Sequence, residues 1–266
     1  MTSPNTAHLS IEEGIATLEF DNPPHNRLSR DMLGAFEDAI AQVKRDDSVR
    51  VLVLTARGNV FSHGGDISVW PGVPPAEMRR RIVGSIQRAN SLETLSIPTV
   101  AVVQGDCYGG GFEYALRCDV IIAADDAYFC HTEQSLGVFT LLGGVQRVAE
   151  RAGRARAMKW ALTSERVSAA ESLAAGVITE VVPLADLAAR ARDWASRLAS
   201  GPTLAHAAHK RLLQTYVDHG VAAADALMPE LAESIFGSMD AVQGIASGLD
   251  ALQRNVERPV LSFQGK

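Results

Sequence analysis

Two glutamates and two glycine-bearing loops are the residues of this chain whose types and spacing can do chemistry. Glu113 lies in "GDCYGGGFEYALRCD" (105–119), three residues after the middle one of three successive glycines. Glu133 lies in "FCHTEQSLG" (129–137), twenty residues further on. No single helix can pair carboxyls that far apart, so a fold has to bring them together. Two carboxyls flanking a water can serve as base and acid when burial raises at least one of their pKa values. The glycines suit a different task. A helix start leaves amide N–H groups unpaired at the positive end of the helix dipole, and without a Cβ a ligand oxygen can reach them. Gly110 opens such a helix after the strand-like "TVAVVQ", and Gly64-Gly65 in "FSHGGDI" (61–67) follow another strand-like run. Two peptide N–H groups from separate loops aimed at one oxygen form an oxyanion hole, which favours charge that develops during a reaction. Taken singly, each loop also reads as a tight turn and each glutamate as a solvated surface acid.

Other chemical signatures are missing. Gly109-x-Gly111 lacks the third glycine of a dinucleotide fingerprint, and no Walker loop, HExxH or GxSxG occurs. His63 and His131 stand alone near the two loops without ligand spacing, so no metal site is expected. Arg79-Arg80-Arg81 reads as a solvated helix face. Cys107, Cys118 and Cys130 are odd in number and show no CxxC spacing. They read as reduced, buried thiols in a cytoplasmic protein.

The elements that must position these groups alternate. "HLSIEEGIATLEFD" (8–21) reads as two short strands around Glu12-Glu13-Gly14. Ser29 then caps a helix with Met32, Leu33, Phe36, Ile40 and Val43 at helical spacing. "VRVLVLT" (49–55), "TVAVVQ" (99–104) and "DVIIAA" (119–124) are continuous apolar runs, which suit strands buried on both faces of a parallel sheet. A helix is expected over roughly 75–95, and "AYFCHTEQSLG" reads as a short strand ending in a loop. The pattern implies an α/β core. After about residue 143 the sequence reads as helical. Val242, Ile245, Leu249, Leu252 and Val256 make one apolar seam, facing either the protein's own core or another subunit. The 266 residues are 47% hydrophobic with a net charge of −6, which argues against a general nucleic-acid binder. Thr2–His8 lacks the order of a leader peptide, and no apolar run approaches the roughly 20 residues that span a bilayer.

These motifs together resemble the crotonase superfamily, the enoyl-CoA hydratase/isomerase group, over nearly the whole chain. "NPPHNRLS" is similar to the early loop that contacts coenzyme A, and "FSHGGDI" to the first oxyanion loop. "GDCYGGGFEYALRCDVIIA" is similar to the second oxyanion loop, and "FCHTEQSLG" and "LGGVQR" to the segments after it. "GSMDAVQGIASGLDALQRNVERPV" resembles the C-terminal trimerisation segment. The resemblance implies a spiral of ββα units over residues 1–199, holding the CoA-ester site. It implies a helical region over 200–266 that forms a homotrimer or a dimer of trimers and covers the site. It further implies that Gly65 and Gly110 donate to a thioester oxygen, that Glu113 and Glu133 are catalytic, and that Arg27, Asp66 and Ile67 bind the acyl-CoA. No cofactor is implied beyond the CoA of the substrate, and neither a nucleic acid nor a membrane as partner. Both glutamate positions being filled favours hydration of a 2-enoyl-CoA. Isomerisation, thioester hydrolysis, decarboxylation or a weakly catalytic binding subunit are the alternatives within the resemblance. Thr132 stands where hydratases usually carry proline, and "TLLGG" (140–144) replaces a stretch of smaller residues, which reshapes the acyl pocket. His63 and His131 replace smaller or amide residues.

Overall fold

A computed structural model describes residues 6–266; residues 1–5, part of the segment read as lacking a leader, lie outside the described residues. Strands β1 (Ala7–Glu12) and β2 (Ile15–Phe20) form an antiparallel hairpin. Its turn residues Glu13 and Gly14 both take positive φ, the backbone a two-residue hairpin of matching twist requires. Strands β3 (Val51–Ala56), β4 (Thr99–Val103), β6 (Val120–Ala124) and β9 (Glu180–Val182) extend β2 in parallel, giving the order β1-β2-β3-β4-β6-β9. The three apolar runs of the sequence are β3, β4 and β6, almost wholly buried because helices cover both faces of the sheet.

One face carries α1 (Arg30–Arg45), capped by the Ser29 hydroxyl, which accepts from the Met32 amide at 3.2 Å. Its Met32, Phe36 and Ile40 join Phe20, Phe61 and Tyr114 in the main core. The other face is covered by α7 (Leu184–Ala199), whose Leu187 and Ala195 pack on Val53, Val100 and Ile122. A second sheet of very short strands, β5 (Asp106–Tyr108), β7 (Tyr128–Cys130) and β8 (Val167–Ser168), runs alongside. Strand β4 leads to β5 and then α3 (Gly110–Ala115). Strand β6 leads to β7 and then α4 (Gly144–Ala152). Strand β3 leads to Ser62, which bridges Cys107 of β5, and then to α2 (Pro75–Glu93). These are the ββα turns of the spiral.

The region after residue 143 is less uniformly helical than its sequence suggests. Helices α4, α5 (Arg154–Thr163), α6 (Ala169–Ala174) and α7 are interrupted by β8 and β9, two and three residues long. Segments that short carry no period to read. From Pro202 onward the chain forms α8 (Thr203–His219), α9 (Val221–Phe236) and α10 (Met239–Arg254). The tail then folds back: the buried Asp240 carboxylate accepts from the amides of Gln264 and Gly265, at 2.7 and 2.8 Å. The apolar seam stays uncovered in the single chain, with Val242, Ile245, Leu249 and Leu252 all exposed. Among the described residues, no helix is long and apolar enough to cross a membrane.

Candidate active site

The two glycine loops meet backbone to backbone. The Leu28 amide donates to the Gly64 carbonyl at 2.9 Å and the Tyr108 amide to the Ser62 carbonyl at 2.8 Å. The Ser62 hydroxyl donates to the Asn26 carbonyl at 2.6 Å. A Cβ on Gly64 would lie 2.9 Å from the Gly110 nitrogen, and one on Gly110 would lie 3.6 Å from the Gly65 nitrogen. The two amides are therefore neighbours, and among the described residues neither donates to a protein acceptor. The three successive glycines have separate tasks. Gly109, at φ 49°, turns the chain out of β5. Gly110 presents its amide at the first position of α3. Gly111 lets that helix press on Ser62, whose Cβ would be 2.6 Å from a Cβ at 111.

Both amide-bearing glycines line a cavity of about 920 Å³, and both glutamates line it too. Glu113, one turn into α3, is 1% exposed, and its Oε1 accepts from the amides of Leu142 and Gly144, each at 2.8 Å. Burial, then the charge of Glu133, push its pKa up to about 7, against those two amides and Arg117, which lower it. Glu133 opens a 3-10 turn (Glu133–Leu136) and is also buried, which raises its pKa. Its Oε2 is buried without a hydrogen-bond partner among the described residues, and its Oε1 would lie 3.3 Å from a Cβ at Gly109. The fold thus unites the carboxyls the sequence left twenty residues apart. A carboxyl near pKa 7 is populated in both protonation states at neutral pH, which suits proton transfer in either direction.

Arg27, Asp66 and Ile67 line the same cavity. Asp66 caps a 3-10 turn (Ile67–Val69), accepting from the Ser68 amide and hydroxyl, and these bonds lower its pKa. Arg27 reaches toward the Gly65 carbonyl, at 3.5 Å. Arg79, Arg80 and Arg81 are exposed on α2, as the sequence reading has them, and Arg80 and Arg81 also line the cavity while pairing with Glu77. Arg30, Trp70 and Arg88 line it as well and carried no sequence signal of their own.

The histidines diverge. His63 lines the cavity, stacked between His25 and Tyr108 at centroid distances of 4.5 and 5.4 Å, with Nε2 3.3 Å from an Asp106 carboxylate oxygen. Burial, then His25, lower its pKa, opposed by Asp106. His131 is buried outside the cavity lining against Phe112, and burial pushes its pKa down to about 4, so it is neutral. Among the described residues, no three histidine, cysteine, aspartate or glutamate side chains converge as metal ligands would. The cysteines are free and buried. The amides of Leu142 and Gly144 on Glu113 escaped sequence reading, since a backbone donor has no residue-type signature. Of the substituted stretch 140–144, Leu141 and Leu142 line the cavity. No residue of 200–266 lines it in the single chain.

A spiral of ββα turns that aims two glycine loops at one cavity defines the crotonase fold, and solved structures share it over the whole chain. An enoyl-CoA hydratase subunit I from Geobacillus kaustophilus superposes with a TM-score of 0.88 at 32% identity, covering 98% of both chains. A second enoyl-CoA hydratase from that organism reaches 0.90 at 25% identity, over 100% of this chain and 98% of its own. The chain belongs to the enoyl-CoA hydratase/isomerase family, whose model matches residues 10–258. Among curated relatives, 4-chlorobenzoyl coenzyme A dehalogenase-2 of Arthrobacter sp is 33% identical over 210 residues, 76% of each chain. A probable enoyl-CoA hydratase of Mycobacterium bovis is 30% identical over 243 residues, 89% of this chain and 91% of its own.

Proposed function

We propose that the protein adds water across the C2–C3 double bond of a 2-enoyl-CoA thioester. The observation that supports this best is the pairing of two buried carboxyls, Glu113 and Glu133, on a cavity that also receives the free amides of Gly65 and Gly110. In this reading the thioester oxygen sits between the two amides. Ionised Glu113 takes a proton from water as the water oxygen bonds to C3. The π electrons move onto the thioester oxygen as an enolate, which the amides stabilise. Protonated Glu133 then delivers a proton to C2, and the enolate collapses to the 3-hydroxyacyl thioester. Exchange of one proton between the carboxyls resets the site. Arg27, Asp66 and Ile67 would contact the CoA portion, and the chemistry would draw on no metal or redox cofactor. The exposed seam of α10 would be covered by other copies, as a trimer or a dimer of trimers, with 200–266 covering the site. The cytoplasm is the proposed compartment.

Isomerisation needs only one carboxyl, so the filled position at Glu113 favours hydration. The likeness to a 4-chlorobenzoyl-CoA dehalogenase supports a second reading, substitution on an aryl-CoA. The test is turnover of crotonyl-CoA and of longer and branched 2-enoyl-CoAs, followed by loss of the conjugated-thioester absorbance. Glu113→Gln and Glu133→Gln serve as controls. A wild-type protein that hydrates none of them overturns the proposal, and chloride release from 4-chlorobenzoyl-CoA would put the second reading in its place.

A further inference from the structure

The short turn that clamps Glu113 is itself held from behind. Its amides, from Leu142 and Gly144, point at the carboxylate. Its carbonyls point the other way, into two guanidinium groups. The Leu142 carbonyl accepts from Arg117 Nη2 at 2.6 Å and the Gly143 carbonyl from Arg147 Nη1 at 3.1 Å. Both arginines then converge on Glu93, at the end of α2. Arg117 Nη1 donates to Glu93 Oε2 and to Asn90 Oδ1, each at 2.7 Å, and Arg147 donates to both oxygens of the same carboxylate. Gly143 has φ 85°, and a Cβ there would lie 2.5 Å from Arg147 Nη1, so the turn and the arginine fit each other closely. Arg117 is 4% exposed, and a buried charge is costly unless paired and hydrogen-bonded, as it is here by Glu93, Asn90 and the Leu142 carbonyl.

We propose that Arg117 and Arg147, joined through Glu93, are positioning residues. They hold the 142–144 turn so that its two amides converge on one oxygen of Glu113 and leave the other for the cavity. The proposal rests on Glu113 being the acid–base group of the proposed function. The brace links the end of α2, the turn that follows α3, and α4. It also separates two effects on Glu113 that a single substitution would blur: the geometry of the clamp and the charge behind it. The charged and titratable groups around Glu113 are Glu133 in the facing 3-10 turn, Arg117 in the turn that follows α3 and neutral His131 across Gly144. Loss of the clamp and loss of the Arg117 charge both raise the Glu113 pKa, since amides and guanidinium now lower it.

The test compares Arg117→Met, Arg117→Lys and Arg147→Met in the full-length protein. The first readout is the titration midpoint of Glu113 by isotope-edited infrared difference spectroscopy against Glu113→Gln. It depends on no assumption about the reaction. The second is the split between kcat and KM for crotonyl-CoA. The expected result is a midpoint about one pH unit higher in both Met variants. It is accompanied by a kcat lower by roughly 10- to 100-fold at nearly unchanged KM. Arg117→Lys keeps the charge but lacks the fork that spans Leu142, Asn90 and Glu93, and it restores only part of both. Should Arg117→Met fail to fold, the partly exposed Arg147 carries the same test. Folded Met variants with the wild-type midpoint and kcat overturn the brace. Full restoration by Arg117→Lys also overturns it, because charge alone would then suffice. A wild-type protein that hydrates no enoyl-CoA, with shifted midpoints in the Met variants, sinks the proposed function and leaves the brace standing.

Discussion

Glu113 and Glu133 face one cavity from contrasting ground. Glu113 sits on α3, whose Phe112, Tyr114 and Ala115 are buried in the main core, and two main-chain amides grip one of its oxygens. Glu133 sits at the rim, in a 3-10 turn that runs into the exposed Leu136, Val138 and Phe139, and one of its oxygens has no partner among the described residues. Fixed donors orient a carboxylate in advance, which suits the group proposed to hold a water for attack. An unclamped oxygen can follow a proton to a carbon that changes geometry. Burial alone does not distinguish the two acids; the hydrogen bonds made by the backbone do.

The largest effect that tests this contrast is on catalysis. Glu113→Gln should lower crotonyl-CoA hydration by roughly 10³- to 10⁴-fold and Glu133→Gln by roughly 10²- to 10³-fold, within the range of acid–base catalysis. Equal losses, or a deeper loss at Glu133, would break the distinction. Next comes pH. With Glu113 titrating at about 7, kcat/KM should climb by about tenfold per pH unit on the acid side as the base ionises, and fall again on the alkaline side as Glu133 loses its proton. The acid limb surviving in Glu113→Gln would assign it to another group.

A smaller, local probe is Gly109→Ala. Gly109 has positive φ, and its new Cβ would lie 3.1 Å from Thr132 Oγ1 and 3.3 Å from Glu133 Oε1. A loss of about tenfold is expected with the Glu113 infrared midpoint in place; a moved midpoint would show that the two acids are not separately held. The smallest effect is on stability. The folded pKa of Glu113 lies above its ordinary 4.5, so between the two values the folded state binds more protons than the unfolded state. Stability from this group is therefore full below about 4.5 and falls as pH rises toward 7. Glu113→Gln removes that dependence. It should gain about 2–3 kcal/mol on the wild type between acid and mildly alkaline pH, read as a rise of several degrees in Tm. No gain would mean that the clamp fully offsets the cost of burying the charge.

Much of the scaffold was legible in the residues. Ser29 as a cap, the helical spacing from Met32 to Val43 and the apolar runs of β3, β4 and β6 are short-range signals, and each appears where its pattern lies. Strands β5, β8 and β9 went unread, since two or three residues show no alternation; β7, equally short, was read as a strand from its Tyr-Phe-Cys run. The site was legible as residue types but not as a place. Gly65, Gly110, Glu113 and Glu133 could be singled out, whereas the Leu142 and Gly144 amides could not, because every residue but proline carries one. Arg80 and Arg81 are solvated as read, but their place beside the cavity was not legible, because charge composition does not reveal which side of α2 meets a cavity. The α10 seam was visible as a pattern, and only the structure shows it uncovered in the single chain.

Local order in the chain decided which segments become strands and helices and where glycine must replace a side chain. Those choices depend on backbone sterics and on periods of two or 3.6 residues, which neighbouring residues settle among themselves. Parallel strand pairing decided the rest. It brought residues 64 and 65 against residue 110, set the carboxyls of 113 and 133 on one cavity and turned the carbonyls of 142 and 143 toward arginines from the turn after α3 and from α4. Such meetings depend on crossovers of tens of residues, and the burial and charge coupling that tune Glu113 exist only once those crossovers have closed.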